Sequence, residues 1–320
     1  RTEVEGLRRD LKVDFNRQVW GNSIKSTALG GLDSAAGKTG IVALVGSASH
    51  DGGDPGTTTF TIDSPGTRYV KAGAQLAIGS ESELTSTNFP TDCQTVTVSS
   101  VPSTTTFTVS GNVTANISAN DLICLGDASD NSFDKEITGL SFMVDDADDS
   151  LQEINTATFP EWKANVLDNS GNGNRPLSLE LMQLAIDTTD EVAGTEPNLI
   201  MGHHSLRREY INLLTSDVRY SPEQLRGGFQ KLTYAGGTNP MPIEFDRMAP
   251  YNKLFFLNTK DIKLYTMKDW SWADRDGSTF SRKANSDSWE AFMCWYGNLG
   301  LERRFSQTLL DDIEVSNLIF

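Results

Sequence analysis

The chain has 320 residues, 38% of them hydrophobic, which is enough to bury a core in one large domain or in two to three small ones. Acidic residues outnumber basic ones by 43 to 27, and the resulting net charge of −16 disfavours direct binding of nucleic-acid phosphates. No stretch approaches the roughly 18 consecutive apolar residues of a membrane helix, and three cysteines without a CxxC pair favour neither a disulfide framework nor a thiolate metal site. Composition therefore predicts a soluble globular protein of a reducing compartment with no membrane partner.

Residues 1–20 are predicted to form a long amphipathic helix. Its apolar residues recur at spacings of three and four, which places them on one stripe: Val4, Leu7, Leu11, Phe15 and Val19. Its basic residues fall largely on the other faces: Arg8, Arg9, Lys12 and Arg17. No capping residue precedes the first turn, so we expect residue 1 to be a cut point and the gene product to extend further upstream.

Residues 41–126 change to short β-branched alternations bounded by turn residues, after a Gly-, Ser- and Ala-rich loop at 21–40. This segment contains an internal repeat, since TTTFTI at 57–62 recurs as TTTFTV at 104–109, an offset of 47 residues. One strand precedes each copy and another follows it. Two such three-strand units predict a small six-stranded barrel, closed so that neither unit leaves an open edge.

The remainder of the chain is predicted to be mixed α and β, following two acidic, solvated connections at 127–136 and 145–150. Leu177, Leu181, Leu184, Ala185 and Val192 are expected to line the buried face of a helix that ends at Gly194. The other expected elements are a strand at 198–201, a helix through 206–214, strands at 232–234, 241–245, 253–257 and 262–265, a Trp-rich hairpin around 276–277, and a last strand near 309–315.

Two patterns resemble functional sites without their required context. The stretch Gly31–Thr39 is one residue too long for a Walker loop, and it has a helix before it and a strand after it, the reverse of the required order. His203 and His204 follow a strand, where α/β enzymes often keep catalytic groups, but no HxxxH pair or GxSxG motif accompanies them. We favour a helix-capping or surface pair, with a hydrolase that uses His203 or His204 as an alternative.

Acidic and aromatic clusters complete the candidates. Carboxylates group at 127–134, 145–149 and 274–277, but none has the spacing of a calcium loop, so solvated loops are favoured and a weak structural ion stays an alternative. A C-terminal aromatic set is interpreted as core or subunit interface rather than a sugar-stacking platform: Trp270, Trp272, Phe280, Trp289, Phe292, Trp295 and Tyr296. Because no acid, base, nucleophile or ligand set converges, we predict a scaffold and not an enzyme, with no catalytic residue, cofactor or metal.

The order of these elements resembles the major capsid proteins of tailed bacteriophages and related prophages, which have the Hong Kong 97-type fold. The sequence EGLRRDLKVDFNRQVWGNS at 5–23 is similar to the end of that family's long spine helix. Residues 177–220 resemble the helix, strand and helix of its axial domain, and residues 227–304 resemble the run through its peripheral-domain strands and back.

The resemblance implies an α+β, Hong Kong 97-type capsid fold into which the barrel is inserted. The implied division is 1–40 for the spine helix and start of the peripheral domain, 41–126 for the inserted barrel, 127–165 for a connection, 166–262 for the axial domain, 263–300 for the peripheral strands and 301–320 for the return to the axial domain. In the family an N-terminal arm and an extended loop precede the spine helix, so this chain is expected to be N-terminally truncated.

The resemblance further implies a structural subunit of an icosahedral virion capsid of a bacteriophage or prophage, assembled in the bacterial cytoplasm from pentamer and hexamer rings of identical copies. Scaffolding or decoration proteins are implied as further partners, and DNA is enclosed without sequence-specific binding. Arg8, Arg9, Lys12 and Arg17 are expected to form intersubunit ion pairs, the alternative being a solvated helix face. The rival hypothesis is a surface carbohydrate-binding protein that uses the barrel and the tryptophans.

Overall fold

The computed structural model of the chain describes residues 2–21, 40–53, 56–62, 69–80, 83–84, 93–103, 105–115, 117–127, 131–147, 150–169, 172–217, 232–274, 277–282 and 287–315. It is a mixed α+β structure in which strands predominate over helices. The helices are α1 (Thr2–Trp20), α2 (Leu140–Met143), α3 (Leu179–Ala193) and α4 (His204–Asp217), and short 3-10 helices span Pro160–Trp162 and Arg304–Ser306. The Walker-like stretch lies outside the described residues.

The first six strands close into a barrel in the order β1-β2-β5-β4-β3-β6, where the repeat predicts one. Their bounds are β1 (Ile41–His50), β2 (Thr57–Ile62), β3 (Gln75–Gly79), β4 (Gln94–Ser100), β5 (Thr106–Ser110) and β6 (Leu122–Leu125). Every neighbouring pair is antiparallel. Closure leaves no strand edge unpaired, so the barrel buries its own apolar residues.

The repeat gives the barrel an approximate two-fold axis. Residues related by the 47-residue offset face each other across two strand pairs, Phe60 with Phe107 and Ala77 with Cys124. The two phenylalanine rings stack with centroids 4.9 Å apart and planes inclined by 6°. The duplicated unit therefore pairs with its own copy at the barrel centre.

A second, six-stranded sheet has the order β11-β12-β10-β13-β18-β9 and mixes parallel with antiparallel pairs. Its strands are β9 (Asn165–Leu167), β10 (Leu199–His203), β11 (Thr233–Tyr234), β12 (Met241–Asp246), β13 (Leu254–Leu257) and β18 (Thr308–Leu310). Both faces of β13 are buried: Leu254 and Phe256 belong to the cluster with α3 and α4, and Phe255 to the cluster with Trp20 and α2. The predicted last strand joins this sheet as β18.

A long antiparallel ribbon follows the sheet, formed by β14 (Ile262–Trp272) and β17 (Met293–Leu301). It pairs residues from Ile262 with Leu301 to Trp272 with Met293, and its register shifts on either side of Lys268. Smaller hairpins are formed by β7 (Ser150–Leu151) with β8 (Ile154–Asn155) and by β15 (Ser281–Arg282) with β16 (Trp289–Glu290). The sequence predicts a strand at 262–265 and a separate Trp-rich hairpin around 276–277, whereas β14 runs without a break from Ile262 to Trp272, and residues 275–276 lie outside the described residues.

Helix α3 has the ends that the sequence predicts but a different buried face. Ser178 accepts a hydrogen bond from the Leu181 amide at 3.2 Å, and Gly194 ends the helix in the left-handed conformation at φ 64°. The buried residues are Met182, Ala185, Ile186 and Thr189. Leu184 is 48% exposed and Val192 53% exposed, so the prediction that they belong to the core is wrong. The helix has apolar residues on two faces, and periodicity does not decide between them.

The two acidic segments predicted to be solvated are partly buried. Glu136 has a side chain only 10% exposed because it is paired with Arg17, and Asp145 is 3% exposed and accepts the Asp146 amide at 2.9 Å. The prediction of two solvated connections is therefore wrong at these residues. Buried carboxylates need such partners, which the local sequence does not reveal.

Candidate functional site

Helix α1 lies against the ribbon through three aromatic rings. The ring of Phe15 meets Trp295 edge to face at 5.1 Å and Trp270 at 6.1 Å between centroids, and the two indoles stack at 5.9 Å. Phe15 belongs to the stripe that the sequence predicts for α1. The ribbon therefore takes part of its support from the helix, because two strands alone form a marginal structure.

An open apolar groove of about 530 Å³ runs beside this contact, between α1 and the end of the ribbon. We call it the α1–ribbon groove, and its lining residues are Arg8, Leu11, Lys12, Phe15, Asn16, Val19, Trp270, Ser271, Trp272 and Met293. The α1 members follow the i, i+3, i+4 spacing of one helix face and so form one stripe. The prediction that the basic residues lie on the other faces is therefore wrong for Arg8 and Lys12. Arg8 and Lys12 are exposed, and they supply positive charge to a groove that is otherwise mostly aliphatic and aromatic.

The ribbon and its tip expose many large apolar side chains. Met267 is 93% exposed and Trp289 68% exposed, and the others are Leu264, Tyr265, Trp270, Phe280, Phe292 and Tyr296. The interpretation of the aromatic set as core is therefore wrong for Trp270, Phe280, Trp289, Phe292 and Tyr296. The alternative interpretation, a subunit interface, stays a prediction. Trp270 and Trp272 do share one side of β14, since both line the groove.

Arg17 joins α1 to the segment that follows the barrel. Its Nη1 donates to Glu136 Oε2 at 2.9 Å, its Nη2 donates to the other oxygen of the same carboxylate, and its Nε donates to Asp14 at 3.0 Å. Burial alone lowers the pKa of Arg17, but the bonds and charges of Glu136 and Asp14 raise it overall. Burial also raises the pKa of Glu136 against the opposing effect of Arg17. We take the pair as ionised, because two hydrogen bonds hold the carboxylate.

This ion pair lies within one chain, so the intersubunit prediction does not describe Arg17. It stays a prediction for Arg8, Arg9 and Lys12, all of which are exposed on α1. Arg9 makes a loose contact to the adjacent Asp10, at 3.7 Å. Exposed pairs of that kind contribute little to stability.

His203 ends β10, and its ring caps helix α4. Its Nδ1 accepts the amide N–H of Ser205 at 3.1 Å and lies 2.8 Å from the Ser205 hydroxyl. The ring also packs edge to face on Tyr251 at 4.6 Å, and the side chain is buried. The capping interpretation of His203 is therefore confirmed. The ring of His204 lies 5.8 Å from that of His203, and of the two side chains only that of His204 is exposed. His204 begins α4.

Within the described ranges, no group of three or more histidine, cysteine, aspartate or glutamate side chains is close enough to hold a metal ion. Asp130, Asp148, Asp149 and Asp276, which belong to the predicted acidic clusters, lie outside the described residues. Burial raises the pKa of the Cys124 thiol in the barrel, and that of Cys93 as well. Buried thiols of this kind are structural rather than reactive.

Sequence reasoning missed Arg304, which is fully buried. Its guanidinium donates to the carbonyl oxygens of Met143 and Phe142 at 2.8 and 3.0 Å and so satisfies the C-terminal end of α2. A buried arginine has no signature in the local sequence, where Arg303 and Arg304 read as ordinary surface residues. Like Arg17, it fixes the elements next to α1 rather than a ligand.

No family model and no curated protein sequence matches the chain. Among solved structures, the chain is similar to one from the cyanophage A-1(L) capsid asymmetric unit, with a TM-score of 0.46 and 16% sequence identity. The alignment covers 58% of this chain and 62% of that one, less than two thirds of its length. Among the described helices, none is long and apolar enough to cross a membrane. At this level of similarity the comparison does not identify a family.

Proposed function

We propose that the chain is a structural subunit that assembles with copies of itself, and that the assembly is the icosahedral capsid of a bacteriophage or prophage. The observation that carries the proposal is the set of large apolar side chains that the ribbon leaves exposed. A two-stranded structure with 11 residues in one strand and nine in the other exposes several large apolar side chains to solvent, among them Leu264, Tyr265 and Met267. Large apolar side chains exposed at this density are typical of protein–protein interfaces.

The capsid assignment rests on the sequence resemblance, in which a spine helix, an axial domain and peripheral strands follow one another. In that assignment α1 is the spine helix, the six-stranded sheet with α3 and α4 is the axial domain, and the ribbon belongs to the peripheral domain. The barrel is the inserted domain and is available to neighbours or to a decoration protein. Rings of five and six copies join into the shell, where many repeated contacts multiply individually weak ones.

Sedimentation velocity of the purified chain over a concentration series, with negative-stain microscopy, tests the proposal. We expect rings or shells at high concentration. A double variant, Met267→Ser with Trp289→Ser, removes the two most exposed apolar side chains of the ribbon region, and it is expected to fold but to assemble at least about tenfold more weakly. A chain that stays monomeric at every concentration contradicts the proposal.

The rival carbohydrate-binding function is favoured by one observation, the exposure of the aromatic rings of Trp289 and Phe292. Exposed aromatic rings are suited to stacking on sugars. A glycan array separates the two functions. Binding by the monomer that disappears in Trp289→Ala supports the rival, whereas assembly without glycan binding supports the capsid subunit.

A further inference from the structure

We infer that the α1–ribbon groove of one copy receives helix α3 of a second copy. This inference rests on the proposed function and deepens it by naming the two surfaces that meet. The two surfaces are different from each other, so the contact is heterologous and generates a ring where its rotation closes.

The first step is the exposed face of α3. Glu180, Leu184, Asp187 and Glu191 are spaced by four, three and four residues, which places them on one stripe of the helix, and all four are exposed. Val192 is also exposed, but it lies about 100° around the helix axis from Glu191 and so beside the stripe rather than on it. The stripe combines Leu184 with a row of three carboxylates, and it lies opposite the face that packs on the sheet.

The second step is charge. The groove has Arg8 and Lys12 on its α1 side, one helical turn apart, and the α3 surface has Asp187 and Glu191, also one turn apart. Two carboxylates therefore match two cations at the same spacing. Complementary charges fix the register of a contact and increase its association rate.

The third step is shape and length. The α1 side of the groove extends from Arg8 to Val19 and the α3 stripe from Glu180 to Glu191, and at 1.5 Å per residue each extends about 16 Å. Leu184 supplies an aliphatic side chain of the kind that an apolar groove of about 530 Å³ accommodates. When the two surfaces meet, apolar area that is exposed to water in the single chain becomes buried on both sides of the contact.

Charge reversal on both sides tests the contact. The groove variant is Arg8→Glu with Lys12→Glu, the helix variant is Asp187→Lys with Glu191→Lys, and the fourfold variant combines them. All four positions are exposed, so folding is expected to be retained and is checked by circular dichroism. We expect each double variant to assemble at least about tenfold more weakly in sedimentation velocity, and the fourfold variant to recover to within about threefold of the native chain.

Matched controls are Lys71→Glu on the barrel and Glu161→Lys in the 3-10 helix, which reverse exposed charges outside both surfaces and are expected to leave assembly unchanged. Raising the salt concentration is expected to weaken the assembly of the native chain and of Glu161→Lys, since salt screens the charge pairs of the contact. It is expected to weaken the assembly of either double variant less, because those pairs are absent. Controls that weaken assembly as much as the double variants overturn the inference.

Cross-linking gives a second measurement that does not depend on how the variants fold. A mixture of ¹⁴N- and ¹⁵N-labelled native chain is treated with a carbodiimide, which joins a lysine amine to a carboxylate without a spacer. We expect mixed-isotope peptides that link Lys12 to Asp187 or Glu191. Assembly with no such link, and without rescue in the fourfold variant, overturns the inference and leaves the proposed function standing. A native chain that never assembles overturns both.

Discussion

The barrel and the ribbon are both antiparallel β-structures, but they cover their apolar residues in different ways. In the barrel every strand has two neighbours, and the outward side chains include hydroxyls that bond across strands, such as Ser100 with Thr108 at 2.8 Å. In the ribbon each strand pairs only with the other. Met267 within the ribbon and Trp289 in the neighbouring strand β16 are both exposed to solvent. The barrel is complete within one chain, whereas the ribbon is supported by α1 and leaves large apolar side chains exposed.

The largest expected effect comes from truncating one aromatic residue in each region and comparing the changes in the free energy of unfolding. Phe60→Ala removes a fully buried ring at the barrel centre, and we expect it to lower the free energy of unfolding by about 3–5 kcal/mol. Trp289→Ala removes an exposed ring and is expected to change that free energy by less than about 0.5 kcal/mol. Urea unfolding followed by circular dichroism, at a concentration below assembly, measures both.

The internal symmetry supplies the control for this comparison. Phe107 stacks on Phe60 from the equivalent position, so Phe107→Ala is expected to cost a similar amount. A Phe60→Ala variant with unchanged free energy of unfolding, or a Trp289→Ala variant that unfolds, would contradict the view that the barrel buries its own apolar residues and the ribbon leaves them exposed.

A smaller effect is expected at the ion pair of Arg17 with Glu136, which connects helix α1, the helix that supports the ribbon, to the segment after the barrel. Arg17→Met leaves a buried carboxylate without its guanidinium, and we expect a loss of about 3 kcal/mol in the same urea measurement. The double variant Arg17→Met with Glu136→Leu is expected to recover most of this loss, because no buried charge is left uncompensated at position 136. Equal destabilisation by the single and double variants contradicts a role for the charge pair.

The sequence predicts the barrel well because its information is local and repeated. Strands β2, β4 and β5 alternate buried and more exposed residues, and the 47-residue offset places Phe60 opposite Phe107. The same is true of the ends of α3, where Ser178 caps the Leu181 amide and Gly194 adopts the left-handed conformation, both interactions with residues close in sequence. Such features need no knowledge of the rest of the chain.

The candidate site is predicted less well because its features depend on distant partners. Leu184 and Val192 read as core on periodicity alone, yet Thr189 takes the buried position, where its hydroxyl bonds to the Ala185 carbonyl at 2.7 Å and lies 2.6 Å from the hydroxyl of Thr308. Arg17 reads as a surface cation until Glu136 is brought to it from 119 residues away. Exposed aromatic residues are likewise indistinguishable from core residues in the sequence.

The smallest expected effect is a response to acid at the turn between β1 and β2. The Asp51 carboxylate accepts the amides of Thr57 and Gly53, each at 3.0 Å, and these bonds lower the pKa of Asp51 below its ordinary value of 3.8. The stabilisation is therefore present above that pH and is lost as the pH falls through the lower, folded pKa. We expect the thermal midpoint of the native chain to fall more between about pH 5 and pH 3 than that of Asp51→Asn, which does not titrate at this position. The control is Asp274→Asn, at an exposed position after β14, which is expected to keep the native response to acid. Identical acid responses of the native chain and of Asp51→Asn would show that the stability of the turn does not depend on the carboxylate charge.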